Sequence, residues 1–360
     1  MSDSQKIMVT KTFLPDVEEY IEYVRDIFGR CQLTNQGPIV TMLEDKLQKY
    51  LGVLHLQYVC NGTLALQLAI RALGLEGSEI ITTPFSYVAT LSSILWEGCS
   101  PVFVDIEPEH FTIDPDAIEA AITPKTKAIM PVHVFGYCCQ VEKIDAIAKK
   151  YNLKVIYDGA HAFGTCYKGT SILNYGDIST LSFHATKLFH TIEGGGCICG
   201  DASLNAKLDL LKKFGHRGDN HFTLGINAKQ SEFHAAMGMC NLKHIETIFA
   251  KRKTICSLYN NALKGFLRLP AEQVNCQWNY AYFPVLFDSK EHREYVFSQL
   301  ANKNIFPRRY FFPSLNTLPY VSYTPCIFSE DISDRIACLP LYPDLEEESV
   351  KEICNVICDK

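Results

Sequence analysis

The sequence predicts an α/β fold: a large domain with a mostly parallel central sheet between helices, followed by a smaller α+β domain. Three observations predict it. Short β-branched runs alternate with helical periodicities from Leu56 to Phe183, the pattern of strands joined by crossover helices. Turns rich in Gly, Pro, Asn and Asp separate them. The pattern then changes near residue 245, after which one long helix leads into strands and helices mixed less regularly. A chain of 360 residues suits one large and one small domain, here 1–245, with an N-terminal helical segment, and 246–360.

Taken in order, Asp16 is a fitting N-cap for a helix that carries Val17, Tyr20, Ile21, Val24 and Ile27 on one face. Gln32 to Pro38 is turn-rich. Val40, Leu43, Leu47 and Tyr50 mark a second helix, stopped by Gly52. Leu56–Cys60 reads as a strand, Asn61-Gly62-Thr63 as its turn, and Leu64–Leu73 as a helix ending before Gly74. Strands follow at Glu79–Thr83, Pro101–Ile106, Lys127–His133, Leu153–Asp158 and Ile178–Phe183. Helices fall at Val88–Trp96, Asp114–Ala121, Val141–Tyr151 and Ala202–Phe214. Glu193-Gly194-Gly195-Gly196 reads as a turn, and Gly215–Lys229 as a loop. Ser231 opens a helix to Ile245, and Glu246–Leu263 bridges to the smaller domain. There the pattern predicts a strand over Asn279–Phe287, a helix over Lys290–Lys303, an aromatic basic segment Ile305–Pro313 and a last helix over Glu346–Cys358.

Composition narrows the function. A net charge of -6 gives no electrostatic footprint for nucleic acid. Met1–Gln5 is polar, no apolar signal core follows, and no apolar run is long enough to span a bilayer. The expectation is a cytoplasmic protein with no membrane partner. The 15 cysteines are scattered. Cys138-Cys139 and Cys197-x-Cys199 lack zinc spacing and no C-x-x-C occurs, so reduced thiols and no metal are expected.

The chemistry gathers around Asp177 to Lys187. A buried strand there delivers Ser182, His184 and Lys187 into a turn. Burial lowers the pKa of such a lysine, and a neutral amine is what condenses with an aldehyde. Upstream, strand, Asn61-Gly62-Thr63 and helix form an anion site, because the free amides of a helix start favour a phosphate. Asp158 lies at a strand end, where ligands bind in such sheets. Phosphate donors (Gly62, Thr63, Ser182), a buried acid and a lysine are the three needs of pyridoxal phosphate: its phosphate, its protonated ring nitrogen and its aldehyde. Tyr87, at the end of the Pro84 turn, is positioned to stack on the ring.

These motifs resemble the DegT/DnrJ/EryC1/StrS sugar-nucleotide aminotransferases over nearly the whole chain. The likeness is carried by Asn61-Gly62-Thr63, Thr83-Pro84-Phe85-Ser86-Tyr87-Val88-Ala89-Thr90 and Tyr157-Asp158-Gly159-Ala160-His161. It continues in Ser182 to Lys187, Glu193-Gly194-Gly195 and Gly225-Ile226-Asn227-x-x-x-Ser231-Glu232. The resemblance implies a fold-type-I homodimer with active sites at the subunit interface. It implies that Lys187 binds the cofactor aldehyde, Asp158 pairs with the ring nitrogen and Tyr87 stacks. It places Gly62, Thr63 and Ser182 on the phosphate, with Asn227 of the partner subunit completing the cradle. Glu193 is structural or faces substrate. His161 stands where many members have Gln, in contact with the ring oxygen, and its titration near neutral pH leaves its protonation open. The implied reaction moves an amino group from L-glutamate to a 4-keto-6-deoxy nucleotide sugar such as dTDP-4-keto-6-deoxy-D-glucose, for O-antigen or another glycan. Arg308 and Arg309 are candidates for the nucleotide diphosphate. Amination at C3 is the nearer alternative. Dehydration at C3, in which a His replaces the Lys, and a sensor without turnover are the others.

Overall fold

The computed structural model describes residues 6–269 and 271–359; Met1–Gln5, Pro270 and Lys360 lie outside them. Seven strands form the central sheet: β1 (His55–Val59), β2 (Glu79–Thr82), β3 (Ser100–Phe103), β4 (Thr126–Met130), β5 (Lys154–Asp158), β6 (Ile178–Ser182) and β7 (Gly195–Cys199). Their spatial order is β1-β7-β6-β5-β4-β2-β3. From β6 to β3 every pairing is parallel, while β7 runs antiparallel to both β1 and β6. All strands except β7 therefore point the same way, and their C-terminal ends share one edge.

Both faces of the sheet are covered, which is why successive residues of its strands are buried rather than alternating with exposed ones. In β5, Val155 and Tyr157 enter one core and Ile156 the other. Helices α1 (Val17–Arg30) and α2 (Pro38–Leu51) belong to the first core. Helix α3 (Gly62–Leu73) belongs to the second. Each fully buried Leu or Ile in these cores contributes roughly 1.5–3 kcal/mol. Asp16 and Gly52 cap the first two helices as expected. Helices α4 (Val88–Trp96), α5 (Val141–Tyr151), α6 (Ala202–Leu211) and α7 (Glu232–Lys243) complete the layers.

Several expectations need correction. Gly195-Gly196 is no turn; it starts the buried strand β7. Glycine is needed there because a Cβ on Gly195 would lie 2.5 Å from the Asn61 carbonyl. The helix expected over Asp114–Ala121 is a single turn, Pro115–Ile118, running into a 3₁₀ turn. The helix from Ala202 ends at Leu211, where Ile226 donates its N–H to the Leu211 carbonyl. The following loop contains a small hairpin, His216–Arg217 with Asn220–His221.

In the C-terminal part, α8 (Ile245–Leu263), α9 (Lys290–Asn302), α10 (Ile327–Arg335) and α11 (Glu347–Cys358) surround the antiparallel pair β8 (Phe283–Leu286) and β9 (Ile336–Leu339). The strand predicted from Asn279 shortens to β8 because the buried Arg252 guanidinium takes the Tyr280 and Ala281 carbonyls at 3.2 and 3.0 Å. Ile7–Met8 pairs in parallel with Ile305–Phe306. We propose the domain boundary near residue 245, because His244 both closes α7 and opens α8.

Candidate active site

The site begins at the start of α3. Asn61 caps this helix, its Oδ1 accepting the Leu64 N–H at 2.8 Å, and its carbonyl accepts the Ala65 N–H. The Gly62 and Thr63 amides precede any intrahelical acceptor and open into the cleft beyond the sheet edge. Ser182, the last residue of β6, lies beside them. A Cβ at Gly62 would come 3.0 Å from the Ser182 Cβ, so glycine lets helix start and strand end close together. Two amides, one hydroxyl and the positive end of a helix dipole suit a phosphate.

Asp158 ends β5 and is buried. Its Oδ2 accepts the Thr90 hydroxyl at 2.7 Å and its Oδ1 the Ala160 N–H at 3.0 Å. Burial raises its pKa, and those two hydrogen bonds together with the nearby Lys187 act against that rise. Lys187 sits in the turn after β6, its N–H bonded to the His184 carbonyl at 2.8 Å. Its amine faces the Tyr282 ring at 5.9 Å and has no hydrogen-bond acceptor among the described residues. Burial pushes its pKa down to about 8, while Asp158 and Tyr87 pull the other way.

His161 follows Asp158 by one turn and is buried. Its Nδ1 accepts the Phe135 N–H at 3.2 Å. Burial, then Lys187, hold its pKa well below the ordinary value. With Nδ1 accepting, a neutral ring carries its proton on Nε2. Phe135 and Phe311 stack on it at 12° and 13°. Tyr87 is the N-cap of α4 and 56% exposed, an aromatic face left free toward the cleft.

One cleft of about 280 Å³ is lined by Gly62, Thr63, Tyr87, Asp158, His161, Ser182, Lys187, Glu193 and Arg308. A larger cavity of about 470 Å³ lies elsewhere, by Tyr137, Asn260 and Trp278, and gathers no comparable set. A family model described as the DegT/DnrJ/EryC1/StrS aminotransferase family matches residues 15–358. The chain belongs to that family. It is therefore a sugar aminotransferase by kinship. The dTDP-4-amino-4,6-dideoxy-D-glucose transaminase of Escherichia coli is 42% identical over 99% of this chain and 100% of its own length. A UDP-2-acetamido-2-deoxy-3-oxo-D-glucuronate aminotransferase of Pseudomonas aeruginosa is 35% identical over 89% of this chain and 90% of its own. The crystal structure of DesI in the presence of its TDP-sugar product superposes with a TM-score of 0.94 at 29% identity, covering 99% of this chain and 93% of that one.

Within the family frame, two expected residues stay outside the cleft of a single chain. Asn227 lies in the segment before α7, its Oδ1 accepting the Lys229 ammonium at 2.7 Å. Arg309 packs over the Phe312 ring at 3.5 Å and does not line the cleft. His184, without a role in the sequence reading, bridges two neighbours: Nδ1 meets the Thr186 hydroxyl at 2.8 Å and Nε2 lies 3.5 Å from Glu193. Glu232 of the Ser-Glu motif is structural. Its carboxylate accepts the Ile39 and Val40 N–H groups at the start of α2 at 3.1 and 2.8 Å. Ser86, Tyr282, Tyr310 and Phe311 also line the cleft. Sequence reading gave them no role, since hydroxyls and aromatics read equally well as packing. Away from the cleft, the donor atoms of Glu107, Glu109 and His110 lie within 4.8 Å of one another. The Glu107 carboxylate there is already engaged by the Glu109, His110 and Thr112 N–H groups.

Proposed function

We propose that this chain is a pyridoxal-phosphate-dependent transaminase that moves an amino group from L-glutamate to the C4 carbonyl of a 4-keto-6-deoxy nucleotide sugar, with dTDP-4-keto-6-deoxy-D-glucose as the favoured acceptor. The carrying observation is an unpaired, desolvated Lys187 amine in one cleft with a phosphate cradle at one end and a buried carboxylate at the other. The donor set fits the cofactor at each of its polar ends. Gly62 and Thr63 amides and the Ser182 hydroxyl would hold its phosphate. Asp158 would keep a proton on its ring nitrogen, the His161 Nε2–H would donate to its ring oxygen, and Tyr87 would cover the ring. When bound, pyridoxal phosphate supplies an electron sink for the charge left when a carbon gives up its proton. Lys187, with a pKa near neutrality, takes and returns that proton at the substrate carbon. Arg308, at the rim, meets the diphosphate, and Glu193 with its partner His184 borders the sugar.

The likeness to the Escherichia coli transaminase along its whole length supports C4 amination. The Pseudomonas aeruginosa relative, a 3-oxo-sugar aminotransferase, supports C3 as the second reading. A homodimer is part of the proposal. Phe222, Leu224 and Ile226 are exposed beside Asn227, an apolar segment suited to a second copy, which brings Asn227 to the partner's phosphate site. No helix among the described residues is long and apolar enough to cross a membrane, which is compatible with a cytoplasmic reaction on a charged nucleotide sugar feeding O-antigen or another glycan.

The test is product structure determination by NMR after incubation with L-glutamate and a panel of 4-keto and 3-keto sugar nucleotides. An axial or equatorial amine at C4 supports the proposal; an amine at C3 supports the second reading; no amino sugar with any acceptor overturns both. Mixing Asn227→Ala with Lys187→Ala subunits tests the shared site. Hybrid dimers regain activity if Asn227 acts across the interface and stay inactive if it does not.

A further inference from the structure

The first turn of α4 carries more than Tyr87. Thr90, two residues into that turn, sends its hydroxyl to Asp158 Oδ2 at 2.7 Å, and the Ser86 hydroxyl lies 2.7 Å from the Thr90 hydroxyl. All three groups are more than nine-tenths buried. A hydroxyl has one proton to give, and an ionised carboxylate can only accept. With Asp158 ionised, Thr90 must donate to it, and Ser86 must then donate to Thr90. The chain has one direction, Ser86 to Thr90 to Asp158. The N-terminus of α4 adds its positive dipole end in the same place.

We infer that Ser86 and Thr90 are positioning residues that hold Asp158 ionised and aimed, so that the proton of the pair resides on the cofactor's ring nitrogen rather than on the carboxylate. This rests on the proposed function. Asp158 is a desolvated acid whose burial alone favours the protonated form. A neutral Asp158 leaves the ring nitrogen without a counter-charge, and the ring then loses its strength as an electron sink. The hydroxyl chain is charge-assisted, and so stronger, only when the acid is ionised. The same helical turn thus supplies the ring-covering Tyr87 and the support behind Asp158, so one rigid element fixes both the plane of the ring and the charge at its nitrogen.

The experiment uses the full chain loaded with pyridoxal phosphate carrying ¹⁵N in its ring, for wild type, Thr90→Val and Thr90→Ser. The ring-nitrogen chemical shift reports protonation directly, apart from turnover. In Thr90→Val the signal is expected to move toward the unprotonated position, and the dissociation constant of the cofactor to rise about ten- to hundredfold, the worth of a hydrogen bond to a charged group. Thr90→Ser is expected to restore both. A Thr90→Val protein that keeps the wild-type shift and affinity, with native circular dichroism, overturns the inference. If Thr90→Val does not fold, Ser86→Ala is read in the same way, with a smaller displacement of the same sign expected. Should wild type itself take up no pyridoxal phosphate, the cofactor reading fails first, and that result is distinct from a bound ring whose shift ignores Thr90.

Discussion

Two lysines lie against this sheet, one fully buried and one partly exposed at the cleft, and they are opposites. Lys212, at the end of α6, is fully buried and paired: its ammonium donates to Glu44 Oε1 at 3.1 Å and to the Tyr58 carbonyl at 3.4 Å. Lys187 lines the cleft with no acceptor among the described residues, and burial brings its pKa to about 8. Glu44 also accepts the Tyr58 N–H at 2.8 Å, so the Lys212 pair ties α2 and α6 to strand β1. Burial by itself does not mark chemistry. A buried charge whose partners are satisfied builds architecture; one left unpaired beside a cleft keeps its reactivity for something else.

Replacing Lys187 tests the reactive half of this contrast and has the largest expected effect. Lys187→Ala should lower transaminase activity by at least about 10²–10⁴-fold, the range for a lost proton-transfer group, and abolish the visible absorption of the bound cofactor. Stability should not suffer. The folded pKa of about 8 lies below the unfolded value of about 10.4. The unfolded chain therefore binds the extra proton between those values, and stability rises as pH climbs through that window. At pH 7 the full cost is present, so Lys187→Ala should unfold at higher urea than wild type, by about 1–3 kcal/mol once partial exposure is allowed for. The gain should vanish near pH 10. A variant less stable than wild type at both pH values would contradict this account.

Lys212→Met should do the reverse. It leaves the Glu44 carboxylate buried without a counter-charge, held only by the Tyr58 N–H and the Gln36 amide, a loss of up to about 3–5 kcal/mol measurable by urea unfolding. Cofactor binding per folded molecule should stay unchanged. Adding Glu44→Leu should recover only part of the loss, because the Tyr58 N–H then lacks its acceptor, which costs about 1–3 kcal/mol. Full recovery would show that the pair contributes nothing beyond its own cancelled charges.

The adjacent arginines repeat the contrast on a smaller scale. Arg308 lines the cleft and lies 4.8 Å from the Tyr310 ring centroid; Arg309 turns away onto Phe312. Arg308→Ala should raise KM for the nucleotide sugar about ten- to hundredfold with little change in kcat, as expected for a lost contact to a diphosphate. Arg309→Ala should leave KM near its wild-type value. Equal effects from both would mean that the diphosphate lies across the rim rather than inside it.

The central sheet was legible because short apolar strands alternate with helical periodicities and are separated by turn residues. Strand β7 was not. Its Gly-Gly start reads as a turn, and only the approach of Gly195 to the Asn61 carbonyl explains glycines in a buried strand. The one-chain part of the site was legible as well, because phosphate, acid and amine chemistry each demand a residue type at a sheet edge. The Ser86–Thr90 chain was hidden, since a hydroxyl inside a helix signals nothing until its partner is seen. Asn227 and Arg309 both lie outside the cleft of a single chain, for different reasons. Arg309, read from the basic aromatic segment, turns onto Phe312, while Asn227, expected from the partner subunit, lies outside its own chain's cleft as that expectation requires. The C-terminal strand was overextended because no periodicity reveals that Arg252, on another helix, captures two of its carbonyls.

Two histidines differ in the same way but by less. His133 and His161 are both buried and neutral. His133 stacks on Tyr157 at 4.7 Å, away from the cleft lining, and burial takes its pKa to about 3. His161 faces the cleft, and burial, then Lys187, lower its pKa. Above the unfolded value of about 6.5 neither state holds the proton, and neither residue affects stability. Below it the unfolded chain takes up protons that the native state refuses, so stability falls with falling pH by at most about 1.4 kcal/mol per unit for each histidine. His190 and His234 are lowered too, so the wild-type curve is a sum. The informative quantity is a difference: urea stability of His161→Gln minus wild type should grow by about 1–2 kcal/mol between pH 6.5 and pH 5. A flat difference would mean that native His161 takes up the proton as readily as the unfolded chain does. The Phe135 N–H donates to Nδ1, so that uptake would have to occur at Nδ1 and break this hydrogen bond. It would also set a second cation beside Lys187, the arrangement that the low pKa of Lys187 argues against.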